Sequence, residues 1–242
     1  MAREQGSPGD MDTSRQELWQ RFFENQIWQV LLLAAVFASA LFGYDFIAVP
    51  HGQWLGLSTR QWFLIVIITP VVHQFYIWLC WRGELYFKAL SRIFGDHAYS
   101  VFSIIFLLLI GIRFFSIFAV CVADYQSLSM PFVTRLIAAF ILHLPAMYAM
   151  YSVLQYFGFE RIPGEDHFAP EKYRNKPFVQ QGMYKYSANV MYVYAGLIFW
   201  AAAILCGSKA GLIASAYMYA TVWTHYFCTE KPDIKYIYSS TL

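Results

Sequence analysis

Six apolar runs, each close to the length of helix that crosses a bilayer, govern what this chain can fold into. They cover approximately Ile27–Val49, Gln61–Trp81, Tyr99–Ala123, Pro131–Phe157, Tyr186–Cys206 and Ala210–Phe227. A hydrocarbon core about 30 Å thick takes roughly 20 such residues per helix, and the backbone groups inside it must be satisfied within the segment. Composition agrees, since 59% of the 242 residues are apolar and only 13% are charged, against about a quarter charged in a soluble domain. The chain is therefore predicted to be an all-α, polytopic membrane protein of about six transmembrane helices.

The loop charges test that count, because cytoplasm-facing loops hold the excess of Lys and Arg. From the N-terminus the counts are three, one, three, one, five, one and two basic residues, with Arg135 in the first turns of the fourth run counted with the segment before it, and Arg113 stands deeper, inside the third run. This alternation fits six crossings with both termini on the positive, cytoplasm-like side, and breaks for five or seven. The first run is too long for a signal-peptide core, lacks a small-residue cleavage site and follows a polar arm, so it is kept as a span.

The expected organisation is a polar arm over residues 1–26, a four-span scaffold over 27–157, and a catalytic region over 158–242 made of a long loop and the last two spans. That loop, Gly158 to Gly182, carries Arg161, Pro163, Gly164, Glu165, Asp166, His167, Pro170 and Pro177 without apolar periodicity. Loops of this kind are usually functional or disordered. The formal charge of +2 is too small and dispersed for a nucleic-acid surface. Cys80, Cys121, Cys206 and Cys228 lie too far apart for a zinc site or a disulfide scaffold.

Polar residues inside apolar runs are costly and need an explanation. Arg113 could pair with a lipid phosphate or with Asp124, or snorkel to an interface, and snorkelling is the blander account. Asp45 is expected at a membrane edge. His73 and His143 read as hydrogen-bonding residues of the bundle, since neither has a His or carboxylate three or four residues on; no metal site is expected. Pro70 and Pro145 are expected kinks. The tyrosines of Met147–Tyr156 and Tyr184–Tyr194 fit either an interfacial belt or a cage around a cation.

Two segments combine polar groups, aromatics and chain breakers at one membrane face. One runs from Gly182 through Tyr184, Tyr186, Asn189, Met191 and Tyr192 to Gly196. The other leaves the sixth span as His225, Glu230, Lys231, Pro232, Ile237 and Tyr238. Spans five and six are joined only around Gly207 to Lys209, so topology brings Asn189 and Glu230 near each other.

At these residues the chain resembles the membrane phospholipid methyltransferases, the group of the phosphatidylethanolamine N-methyltransferases and, more distantly, the isoprenylcysteine carboxyl methyltransferases. Gly182, Tyr184, Tyr186, Asn189, Met191 and Tyr192 match in register, as do Glu230, Pro232, Ile237 and Tyr238, and the likeness is strongest over 158–238. Val190 replaces the usual Pro, Ala188 an Arg common in the isoprenylcysteine branch, and Lys231 a common second Glu; Ser239 ends the motif with hardly any tail. Asn189 in place of His sides with the phospholipid branch.

The resemblance implies S-adenosylmethionine as cofactor. Glu230 then suits the donor's ammonium, and the faces of Tyr184, Tyr192 and Tyr226 suit its sulfonium. Asn189 offers donors and acceptors, while Gly182 and Gly196 allow close backbone approach. The expected acceptor is a membrane lipid in the bilayer, the amine of phosphatidylethanolamine or its partly methylated forms, and an amine attacks only as the free base. His225 and His167 are the proton-acceptor candidates, with Asn189 the third catalytic candidate. Two rival readings stand: a catalytically silent structural subunit of a membrane complex, and a methyltransferase acting on a prenylcysteine carboxylate or a small thiol.

Overall fold

The computed structural model describes residues 8–48, 52–174 and 176–238. Arg3, Val49 at the end of the first run, and Ser239 lie outside them. Among the described residues the protein is all-α, 82% helical, with one two-stranded antiparallel ribbon, β1 (Gln53–Trp54) and β2 (Leu57–Ser58), paired Gln53 to Ser58 and Trp54 to Leu57. The helices are α1 (Pro8–Phe23), α2 (Gln26–Ile47), α3 (Thr59–Phe87), α4 (Ala89–Phe94), α5 (Ala98–Ala123), α6 (Phe132–Ser152), α7 (Glu165–Phe168), α8 (Pro170–Tyr173), α9 (Leu197–Cys206), α10 (Lys209–His225) and α11 (Lys231–Ile237).

Among the described residues four stretches are long and apolar enough to cross a membrane: Arg15–Ile47, Thr59–Phe87, Ala89–Ala123 and Phe132–Phe157. Their outer faces carry exposed Ile27, Phe42, Phe46, Ile104, Phe140 and Ile141, as a lipid-facing surface should. Pro70 and Pro145 sit inside α3 and α6. The polar arm proves to be partly helical, as α1.

The last two predicted spans need correction. Instead of one helix from Tyr186, the fifth begins with a 3₁₀ turn (Gly182–Lys185) and a wide π turn (Met191–Ala195), leaving an apolar helical stretch of Met191–Cys206. Ser187 Oγ accepts from the Asn189 N–H at 3.1 Å, and such a local bond competes with helix propagation. The sixth runs on past Phe227 through a second π turn (Tyr226–Glu230) into α11. Pro232 cannot donate to the Cys228 carbonyl four residues back. That carbonyl instead accepts from Arg82 Nη2 at 3.3 Å and Gln26 Nε2 at 3.4 Å, and Arg82 Nη2 also reaches the Thr229 carbonyl at 3.3 Å.

The helices alternate direction. At one end Gln26 meets Thr229, Arg82 meets Asp233, and Ser152 meets Met183; we call this the Glu230 end. At the other end Thr59 Oγ1 donates to the Ala123 carbonyl at 3.0 Å, the Gln126 N–H to the Cys206 carbonyl at 2.9 Å, and Ser208 Oγ to Asp124 at 2.9 Å. The α9–α10 hairpin turns at Gly207 and Ser208, whose hydroxyl caps α10 at the Gly211 N–H.

Lipid gives little hydrophobic drive between helices, so packing relies on small residues and polar ties. Ala119, Ala203, Ala210 and Ala214 pack with Tyr44, Phe63, Ile117 and Tyr217 in the largest buried cluster. A polar chain crosses the bundle beside it: Thr229 donates to Gln29 at 2.5 Å, Gln29 to Gln74 at 3.3 Å, and Gln74 to the Thr221 carbonyl at 2.7 Å.

Candidate functional site

The Glu230 end is organised by an ion pair with no exposed surface. Arg82, near the end of α3, places Nε 3.0 Å from Asp233 Oδ1, and neither side chain is accessible. Arg82 Nη1 donates to the carbonyls of Phe22 at 3.0 Å and Glu24 at 2.8 Å. One guanidinium thereby joins α1, the turn between α1 and α2, α3, the Tyr226–Glu230 turn and α11. Such a pair holds only when nearly all its hydrogen bonds are met, and here every arm of the guanidinium has a partner.

The loop after α6 docks on this pair. His167 in α7 stacks on Trp81, with ring centroids 4.0 Å apart at 19°. Its Nδ1 is 3.0 Å from Asp166 Oδ1 and its Nε2 is 3.4 Å from Asp233 Oδ2. Burial disfavours its charge, yet the Asp166 and Asp233 carboxylates outweigh that and raise His167 to about 9. Asp166 also accepts from Tyr238 at 3.1 Å, and the Tyr238 hydroxyl accepts from Arg161 at 2.9 Å. Trp81 Nε1 fixes the loop again through the Pro163 carbonyl at 2.9 Å. The segment from Arg161 to Tyr173 is therefore an ordered cap.

Above this layer the Tyr192 hydroxyl donates to Glu230 Oε2. Glu230 stands beyond the apolar run that ends at Phe227. Burial pushes its carboxyl up to about 7, against the lowering effect of the Tyr192 hydrogen bond. Tyr192 lies 5.7 Å from Tyr226 and 6.2 Å from Trp223 between ring centroids, so aromatic rings cluster around the tyrosine that holds the carboxylate. On the loop side the buried Tyr184 stacks on Phe157 at 6.0 Å, and its hydroxyl has no hydrogen-bond partner.

These walls share a backbone feature. Three π-helical turns, Val153–Phe157, Met191–Ala195 and Tyr226–Glu230, stand at the Glu230 end. Widened turns of this kind re-aim side chains and recur at functional sites. All three lie in the C-terminal region, where the family comparison gives its result.

Residues 134–241 match the phospholipid methyltransferase family. The match begins within α6 and takes in the cap, the α9–α10 hairpin and α11. Neither the curated proteins nor the solved structures give a significant match to the chain. The residues that carried the resemblance thus fall within the stretch that matches this family, inside an integral membrane protein.

Within that region the structure brings Gly182, Tyr184, Tyr192 and Glu230 to one end of the bundle. Asn189 lies one turn before Tyr192, half-buried, and its carbonyl accepts from the Tyr192 and Val193 N–H groups. Gly196 packs on α10, where an added Cβ would meet the Tyr219 ring at 3.0 Å; its smallness serves helix contact. His225 is buried, 5.4 Å from Trp81 between ring centroids, and neither ring nitrogen has a partner. Arg113 does not snorkel and does not meet Asp124. It points into the bundle, 7% exposed, with Nη1 2.7 Å from His73 Nδ1.

Sequence reasoning missed Arg82, Asp233 and Trp81. Asp233 stands directly after the Glu230-Lys231-Pro232 step, and a carboxylate there was the available signal. Arg82 read as an ordinary loop charge, because its partner is 151 residues away.

Proposed function

We propose that the protein transfers a methyl group from S-adenosylmethionine to the amine of a membrane phospholipid, phosphatidylethanolamine or a partly methylated product. The observation that carries this reading is the Tyr192–Glu230 hydrogen bond, which joins the two motif segments inside an aromatic enclosure. The residues fit the donor chemically. A buried carboxylate suits an ammonium, tyrosine faces suit a sulfonium, and the unpartnered Tyr184 hydroxyl offers a further polar contact. The tight backbone at Gly182 leaves that wall no side chain of its own.

The donor supplies a methyl group on a positively charged sulfur. The chain's residues bind and align, and alignment alone lowers the barrier substantially. Glu230 and Asn189 hold the polar end, Tyr184, Tyr192 and Tyr226 line the cation, and the 158–182 cap excludes water. His225 has a ring nitrogen free to take the proton from the acceptor ammonium. His167, fixed between Asp166 and Asp233, acts as a positioning residue for the cap. The acceptor enters sideways from lipid, and both termini lie on the cytoplasm-like side, where the basic loops gather.

The silent structural subunit rests on Lys231, Val190 and the short tail. Lys231 is exposed and lies over the Phe227 ring at 5.5 Å, while Glu230 takes the Tyr192 hydrogen bond, which weighs for an intact clasp. The test is incubation of the purified protein with methyl-labelled donor and phosphatidylethanolamine vesicles, with prenylcysteine and a small thiol as competing acceptors. Label in the phospholipid that disappears in Glu230→Gln supports the reading. Label only in a competitor, or no donor binding by calorimetry, overturns it.

A further inference from the structure

We infer that Arg113, His73 and His225 form a buried seat for an oxyanion of a substrate, either the phosphodiester of the lipid acceptor or the carboxylate of the methyl donor. The inference rests on the methyl-transfer reading and gives a role to Arg113 and His73, which that reading leaves unassigned, beside the N–H of His225, whose other ring nitrogen stays free to take the proton.

The argument starts from hydrogen placement. A guanidinium has only donors, so His73 Nδ1, 2.7 Å from Arg113 Nη1, must accept. A neutral imidazole that accepts at Nδ1 carries its hydrogen on Nε2. That N–H has no partner, and neither does Arg113 Nε–H. His225 adds another unpartnered N–H, whichever of its nitrogens bears the hydrogen. Arg113 Nη2 finds only the Met218 sulfur, at 3.7 Å.

One formal positive charge and three N–H donors therefore share a region, since His225 lies within electrostatic range of both Arg113 and His73. Among the described residues no carboxylate pairs with Arg113. Asp124, just past the C-terminal end of α5, is committed to Ser127, Ser208 and the Ala210 N–H. An uncompensated guanidinium inside a bundle is costly, whereas one facing an oxyanion gains charge-assisted hydrogen bonds in a fork geometry. His225 stands five residues before Glu230, and Arg113 lies within electrostatic range of Tyr192. The seat thus adjoins the aromatic enclosure, and at His225 it comes within 5.4 Å of Trp81, the ring on which His167 of the cap stacks.

The test is binding without turnover, on full-length protein in micelles. S-adenosylhomocysteine, its decarboxylated analogue and dihexanoyl phosphatidylethanolamine are titrated into wild type, Arg113→Gln and His73→Gln, with thermal melting of each. Arg113→Gln is expected to melt at or above wild type, because it removes an unpaired charge, and to weaken one oxyanion ligand at least tenfold. His73→Gln should weaken the same ligand less. Loss confined to the phospholipid identifies the phosphodiester; loss for S-adenosylhomocysteine but not its decarboxylated analogue identifies the carboxylate. Unchanged affinities in both variants overturn the seat while leaving the methyl-transfer reading intact. Failure of wild type to bind any of the three ligands overturns both. Should Arg113→Gln not fold, His73→Gln and Arg113→Lys decide by the same affinities.

Discussion

Tyr192 and Glu230, 38 residues apart in sequence, share a hydrogen bond at the mouth of the α9–α10 hairpin. The bond closes two motif segments onto each other and leaves the second carboxylate oxygen for a ligand. Glu230→Gln removes the charge and keeps the shape. We expect donor-product affinity to fall by about 1.5–3 kcal/mol, the worth of a hydrogen bond to a charged group, in calorimetry with S-adenosylhomocysteine. An unchanged dissociation constant would remove Glu230 from the site.

The same carboxylate sets a pH dependence. With Glu230 near 7, it is ionised above that pH and increasingly protonated below it, and only the ionised form attracts an ammonium. Donor-product affinity is expected to fall as pH drops from 8 to 6, and the slope to vanish in Glu230→Gln. A flat profile in wild type would contradict the assignment.

The apolar runs made the helical membrane fold and the first four spans legible, because bilayer thickness fixes helix length whatever the packing. The fifth and sixth were misjudged at their ends by the Ser187 turn and the π turns around Met191 and Tyr226, which leave no mark in hydropathy. The motif segments could be read because each is local. The Arg82–Asp233–His167 layer could not, since it joins α3, α7 and α11 through tertiary contacts alone. Arg113 was visible as an anomaly, but its direction depends on packing against α3 and α10.

Asp233 is the hub of that layer, contacted by Arg82, Tyr86 and His167. Asp233→Ala leaves the Arg82 guanidinium buried and unpaired, and breaking such a pair costs about 3–5 kcal/mol. Thermal melting in micelles should show a large drop. The double variant Arg82→Met with Asp233→Leu should recover part of it, because it removes both charges. Equal melting of Asp233→Ala and wild type would mean that the pair carries no stability.

His167 predicts the alkaline limit. Its charge is favoured in the fold, with the value raised from 6.5 to about 9. A raised histidine contributes stability that is fully present below about 6.5 and is lost as pH climbs through 9. Melting temperature should therefore decline between pH 7 and 10, and proteolysis within the 158–182 cap should accelerate over the same range. His167→Gln should flatten the decline. If the variant keeps the wild-type slope, another group controls it.

Gly182 offers a backbone test of the enclosure. It sits at φ +59°, and an added Cβ would lie 2.6 Å from Ser152 Oγ and 2.7 Å from a Tyr156 ring carbon. Ser152 cannot yield easily: its hydroxyl donates to the Tyr148 carbonyl at 2.8 Å and accepts from the Met183 N–H at 3.0 Å. Gly182→Ala thus combines left-handed strain of about 1–2 kcal/mol with overpacking of about 1–3 kcal/mol. Gly56, at φ +78° with nothing near a Cβ, supplies the control, since alanine there meets backbone strain alone. Gly182→Ala should lose more stability than Gly56→Ala, and more donor-product affinity, because the strain falls on the segment that carries Tyr184. Equal losses at the two positions would mean that the Ser152 contact does not shape the enclosure.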